Sequence, residues 1–350
     1  MCIRDSHFNT RRVVNIRLES KNGSFVTKEK DFLTSDSIGF HPTDILEDAD
    51  GSLLLLDTGG WLSWGCPFSK RAMPEIKGSI YRIQRKDISV RDDPRGLMLS
   101  WNSLNAKDLI YLMNDSRPAV RDKAVETIIG RGEAILNLMS KLILESSDSI
   151  FIKRCLWAVS RIKSKSSLTI LQKALKDSDS GVRQVAARSL GRLKDKTSLA
   201  PLTLLLSDSS QSVRASAATA IGQLDDKKAL SYLFRNLDSN DPIHTKHSFV
   251  YAISQIGNSA EVSSYLSDNR YPYRQRIALK VLASLGSELD SKQVVPLLQS
   301  ADSNVREEAR RLISSRREMR KEIIKIFSNI VKEEEQELSD EELIEGIIIA

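Results

Sequence analysis

SSLTILQKALKDSDSGVRQVAARSLGRLKDK, residues 166–196, is followed without a gap by TSLAPLTLLLSDSSQSVRASAATAIGQLDDK, residues 197–227. Val182-Arg183 and Val213-Arg214 stand 31 residues apart, and so do Leu190-Gly191 and Ile221-Gly222, so the pair reads as one unit copied. A fixed period of this size marks a solenoid, in which each unit buries its apolar face against the next. Each copy holds two apolar stripes at helical spacing with a Ser/Asp turn between them. Leu168, Leu171 and Leu175 mark one helix; Val182, Val185, Ala186, Leu190 and Leu193 mark the next. Neither helix is long enough to be stable alone. Small residues such as Ala186, Ala187, Ala217 and Ala218 let the second helix approach its neighbours, so stacking supplies the core.

Weaker copies extend the array both ways. Asp115 to Arg121 matches Asp177 to Arg183, and Leu156 to Ile162 occupies a second-helix position. Phe249 to Ile256, Ile277 to Leu285, and Asp302 to Arg306 followed by Ala309 and Leu312 continue it, which predicts a mainly α fold of about seven two-helix repeats over residues 104–315. The order of aspartate, Val-Arg, Ala and Leu-Gly resembles HEAT repeats, particularly the short type also found in phycobilin lyases. That resemblance implies a ladder in which turn aspartates and helix-start arginines pair within or between units: Asp177 or Asp179 with Arg183, Asp208 with Arg214, and Asp302 with Arg306. An aspartate before a helix also caps free backbone N–H groups, so these residues read as structural, with no catalytic residue among them. The middle units depart from the pattern, with Lys246 in place of arginine and Tyr271-Pro272-Tyr273 in the following turn. His244 and His247 share a helical face but lack a third ligand, so no metal is assigned. Cys155, near Trp157 in an apolar stripe, reads as core.

Before residue 90 the periodicity becomes that of strands. Val13 to Leu18, the Asn22-Gly23 turn and Ser24 to Thr27 read as one hairpin; Thr43 to Glu47, Asp50-Gly51 and Ser52 to Leu56 read as another, and Ser79 to Ile83 as a final strand. The expectation is roughly one four-stranded antiparallel sheet, the size of a single propeller blade. FHPTDILEDADGSLLLLDTGGW (residues 40–61), Gly65-Cys66-Pro67 and GSIYRI (residues 78–83) resemble the last blade of bacterial membrane-bound dehydrogenase-like proteins, whose propellers are similar to quinoprotein glucose and sorbosone dehydrogenases and in many members precede HEAT repeats. The resemblance implies an extracytoplasmic, periplasmic parent with pyrroloquinoline quinone (PQQ), calcium or haem elsewhere in the full-length chain. One blade cannot assemble an axial cofactor site, so no cofactor is expected in this segment and no catalytic residue is carried over. His41 and Asp57 remain the weak candidates for cofactor contact; Asp57-Thr58-Gly59-Gly60 reads more simply as a turn closure.

The 350 residues carry 52 basic and 46 acidic side chains, a nearly balanced surface, so nucleic acid is not an expected partner despite the net charge of +6. No apolar run reaches the ~18 residues that span a bilayer. Cys2, Cys66 and Cys155 form no CxxC pair and no disulfide framework. Met1 to Ser6 resemble the translation of a sequencing-library transposase adapter, so residues 1–6 are set aside and nothing about a signal peptide follows. The resulting plan is a terminal blade over residues 7–90, a linker over 91–103, the solenoid over 104–315, and C-terminal helix with an acidic tail over 316–350 that reads as truncated. The function expected of this plan is a non-catalytic protein-interaction scaffold, the HEAT arm of a secreted dehydrogenase-like protein. The alternatives are a part of a PQQ-dependent sugar or alcohol dehydrogenase and a chromophore lyase-like module.

Overall fold

A computed structural model of the chain describes residues 2–7, 10–21, 24–60, 75–86, 92–286 and 291–314. The Asn22-Gly23 turn, the Gly65-Cys66-Pro67 segment and the acidic tail lie outside these residues. The chain divides into two compact units, Met1–Ile170 and Leu171–Ala350.

The first unit opens with two three-stranded antiparallel sheets. One has the order β1 (Cys2–His7), β2 (Arg12–Lys21), β3 (Ser24–Thr34); the other has the order β4 (Pro42–Glu47), β5 (Leu53–Asp57), β6 (Ser79–Ile83). This corrects the expected single four-stranded sheet. β2 is hydrogen-bonded on both edges, to β1 and to β3, so it offers no edge to the rest. β4 begins with Pro42, which has no N–H to donate, and starts a separate sheet. Val13, Phe40 and Leu55 are buried together, with Leu33, Ile45 and Ile83 packed against them. The tip between β4 and β5 is tied by Arg82, which contacts Asp48 at 2.9 Å and Asp50 at 3.2 Å.

From Ala106 on, the described helices follow one plan. In the first unit α1 (Ala106–Tyr111) pairs with α2 (Pro118–Arg131), and α3 (Leu136–Glu145) with α4 (Ser149–Val159). α5 (Lys165–Ala174) carries the chain into the second unit, where α6 (Ser180–Leu193) follows it. Then come α7 (Leu199–Leu204) with α8 (Gln211–Leu224), α9 (Leu230–Arg235) with α10 (Ile243–Ile256), α11 (Ser259–Ser263) with α12 (Pro272–Leu285), and α13 (Ser291–Val294) with α14 (Ser303–Ser314). Among the described residues these make seven two-helix repeats, the α-solenoid expected from the period.

One device builds all seven turns. Oδ1 of Asp115, Asp177, Asp208 and Asp238 accepts the N–H of the residue two positions on at 2.8 Å, and Asp268 does so at 3.2 Å. In the other two turns the acceptor is a serine hydroxyl, Ser146 at 3.1 Å and Ser300 at 3.3 Å. A short side-chain oxygen that captures the N–H at i+2 stops the first helix and aims the chain into the second.

Glycine then sets how closely the second helices approach. A Cβ on Gly191 of α6 would lie 2.6 Å from Ala220 Cα, and one on Gly222 of α8 would lie 2.8 Å from Ala252 Cα. α6, α8 and α10 therefore pack backbone against backbone. The corresponding residue of α10 is Ser254, and α10 touches α12 over less of its length.

Candidate interaction surface

The fourth residue of each second helix is the ladder position. Where it is arginine, Nη1 donates back to two carbonyls of its own turn. Arg121 reaches Asp115 O at 2.8 Å and Ser116 O at 3.2 Å, and Arg183 reaches Asp177 O at 2.8 Å and Ser178 O at 2.9 Å. Arg214 reaches Asp208 O, and Arg306 reaches Ser300 O, each at 2.8 Å. These are carbonyls that the preceding helix end leaves without an intrahelical partner.

The rest of the guanidinium links units. Nε and Nη2 of Arg183 grip the two Asp208 oxygens, each at 2.8 Å, and Nη2 of Arg214 donates to Asp241. The sequence had allowed Asp208 to pair with Arg214 and Asp177 or Asp179 with Arg183. Instead, each arginine takes the carbonyl of its own turn and the carboxylate of the next. In Asp208 one oxygen, Oδ1, both holds its own Asx turn and accepts from Arg183, whereas in the next turn Asp238 holds the Asx turn and Asp241 accepts from Arg214. Asp179 and Asp302 are helix caps, accepting Val182 N–H at 2.9 Å, and Asn304 and Val305 N–H at 2.9 and 3.1 Å. Burial alone would raise the Asp208 pKa; the Arg183 hydrogen bonds and the Ser210 N–H outweigh it, so the carboxyl titrates below its ordinary range. In turn Asp208 raises the Arg183 guanidinium.

Three units lack the arginine. Ile152, Lys246 and Gln275 stand at the fourth position of α4, α10 and α12. Gln275 is buried and donates to Leu266 O at 2.7 Å and Asn269 Oδ1 at 2.9 Å.

At 100° per residue the fifth, ninth and thirteenth positions of a second helix turn away from positions three, seven and eleven; they form the more exposed stripe of α6, α10 and α12, while in α8 the fifth position is itself buried. In α6 they are Gln184, Arg188 and Arg192, facing away from the buried Val182, Ala186 and Leu190. In α8 they are Ala215, Thr219 and Gln223, and in α10 His247, Tyr251 and Gln255. In α12 they are Arg276, Lys280 and Ser284. Stripe residues of one helix lie against the close-packing glycine of the helix before it: Gln223 Oε1 lies 2.5 Å from a Cβ built on Gly191, and Tyr251 Cε1 lies 3.3 Å from one built on Gly222. Apart from the buried Ala215, the side chains at these positions are polar or aromatic. From α6 to α12 the twelve positions hold four cationic side chains and no acid, a segregation that the nearly balanced composition hides.

Comparison with known families matches HEAT repeats at residues 106–184, 136–206, 173–254 and 201–283, which together span just over half of the chain. The chain belongs to the HEAT-repeat family. No curated protein matches this HEAT-repeat protein. Among solved structures it is similar to the complex of CpcE and CpcF of phycocyanin lyase from Nostoc, with 20% identity, 61% of this chain and 92% of that one covered, and a TM-score of 0.35. It is also similar to human deoxyhypusine hydroxylase, with 16% identity, 73% and 98% coverage and a TM-score of 0.31. A third similarity is to YibA of E. coli, with 17% identity, 75% and 98% coverage and a TM-score of 0.41. At scores of this size the likenesses carry no conclusion about chemistry.

The other candidate residues of this HEAT-repeat protein take structural places. Asp57 is buried, and its Oδ1 accepts the backbone N–H of His41 and of Gly59, each at 2.9 Å, which closes the turn after β5. Gly59 sits at φ +60°, and a Cβ there would lie 2.6 Å from Ile76 O, so the turn requires glycine. His244 Nε2 contacts Thr245 Oγ1 at 3.3 Å, while His247 is exposed on the outward face of α10. Among the described residues no group of three His, Cys, Asp or Glu converges on one point. Cys155 is buried, and burial pushes its thiol up to about 12, so it is no nucleophile. The altered turn before α12 is a cation–π stack, with the Arg274 guanidinium 3.9 Å above the Tyr271 ring. What sequence reasoning missed is the outward face itself. Its signal was present at positions five, nine and thirteen, once the period locates each helix start.

Proposed function

We propose that this HEAT-repeat protein is a non-catalytic scaffold whose second-helix face docks a protein partner. One observation carries this: the turn aspartates, the helix caps and the ladder arginines are engaged with the fold's own backbone and with each other, while the outward face of α6 to α12 is polar and aromatic. A row of stacked helices that presents a broad polar face suits binding. The test is co-purification of partner protein with the full chain, compared with a chain carrying Tyr251→Ala and Gln223→Ala. Specific enrichment that falls with these substitutions supports the proposal; enrichment indifferent to every substitution on this face refutes it.

The finer proposal makes the scaffold the arm of an extracytoplasmic dehydrogenase-like propeller protein. It is supported by the blade-like residues 40–61 and 78–83 preceding the repeats. A PQQ, calcium or haem site would belong to other parts of such a parent, since the buried Asp57 carboxylate already closes a turn. Dye-linked sugar oxidation by a quinone-reconstituted parent, lost on removal of its other blades, is the supporting result. A folded parent that binds no quinone counts against it.

A further inference from the structure

The outward face of the second unit has an order along it. Arg188 and Arg192 lie at the α6 end, and Arg276 and Lys280 at the α12 end. Between them α8 contributes the half-buried Thr219 and Gln223, with Ala215 buried, and α10 presents His247, Gln255, and Tyr251 at 41% exposure. Lys280 is ion-paired with the buried Glu308 of α14 at 3.7 Å, whereas Arg276 Nε is a buried N–H without a hydrogen-bond partner.

Distances define what fits. Adjacent packed helices have axes about 8–10 Å apart, so the three steps from α6 to α12 span roughly 24–30 Å. An extended chain advances about 3.3–3.6 Å per residue, so about seven to nine residues bridge the two cationic ends. Gln223 and Gln255 lie along that path, and an amide both donates and accepts, as a peptide backbone does. A phosphate backbone offers acceptors alone and would favour cations along the whole length.

We infer that the face formed by α6, α8, α10 and α12 receives an extended segment of a partner protein with acidic residues at both ends and a neutral centre that packs on Tyr251. This rests on the scaffold reading and names the chemistry of its partner.

The experiment uses the full chain and labelled 12-residue peptides in fluorescence anisotropy. One peptide carries three carboxylates at each end and a Leu/Ser centre; a second has the same composition with all six carboxylates in the middle. A third has every carboxylate replaced by its amide, and a 12-nucleotide oligothymidylate serves as the nucleic-acid probe. The two-ended peptide is expected to bind at least fivefold tighter than the centre-loaded one. Arg188→Glu with Arg276→Glu is expected to weaken it at least tenfold, and Tyr251→Ala at least threefold, with circular dichroism unchanged because these side chains are outside the core. Equal affinity for the two acidic peptides, or tighter binding of oligothymidylate, overturns the inference. So does a partner protein that co-purifies equally with wild type and the R188E/R276E chain, a result that leaves the scaffold reading standing.

Discussion

Replacing Arg183 with Met tests the ladder. Its guanidinium is 14% exposed and the Asp208 side chain 8%, and both bonds between them measure 2.8 Å. Removing one partner of a buried pair leaves a buried charge, at a cost of about 3–5 kcal/mol. Asp208→Asn keeps an oxygen for the Ser210 N–H and loses the charge-assisted part, worth about 1.5–3 kcal/mol. The double variant leaves no orphan charge, so it should be more stable than the two single effects predict by about 2 kcal/mol. Urea unfolding of all four proteins, followed by circular dichroism, measures the cycle. At about 2–4 °C per kcal/mol for a domain of this size, R183M alone should lower Tm by roughly 6–20 °C. Arg183→Met within about 1 kcal/mol of wild type, or a coupling near zero, would show that the ladder is ornamental. The pH dependence has a fixed sign. Asp208 titrates lower folded than unfolded, so its contribution is present above the unfolded carboxylate value and disappears as pH falls through the folded one. The gap between wild type and D208N should therefore narrow below about pH 4.

Three further outcomes follow from the packing. Gly222→Ala should cost about 1–3 kcal/mol by forcing α8 off Ala252, whereas Gly130→Ala, where a Cβ meets nothing within 4 Å, should stabilise by about 0.5–1 kcal/mol; opposite signs in chemical denaturation are the check, and equal signs would discredit the close-approach account. Cys155 should stay unlabelled by Ellman's reagent at pH 8 until the chain unfolds, since its thiol is buried and titrates near 12; rapid labelling of folded protein would contradict this. Asp57→Ala should orphan two N–H groups at a cost of roughly 2–4 kcal/mol, seen as faster amide exchange at His41 and Gly59, and unchanged exchange there would dismiss the turn-closing role.

The 31-residue copy was enough to reveal the solenoid, because a repeat writes its packing into the sequence at a fixed interval: Val, then Ala-Ala, then Leu-Gly. The weaker units were harder to register. Ser146 and Ser300 do the work of aspartate, and only a backbone that folds into the same turn makes a hydroxyl and a carboxylate equivalent. Lys246 and Gln275 at the ladder position could be located from spacing, yet their partners could not.

What the sequence determined by itself was local and periodic: the helices, the turn acceptors, the glycines, the seven-unit plan and the strand character of the first residues. What tertiary structure decided was which carboxylate Arg183 and Arg214 hold and that the strands form two sheets. The physical reason is the same in each case. A period records what every unit needs from its own chain, whereas a contact between units depends on how far and at what angle one helix lies from the next, and that is set by side chains tens of residues away.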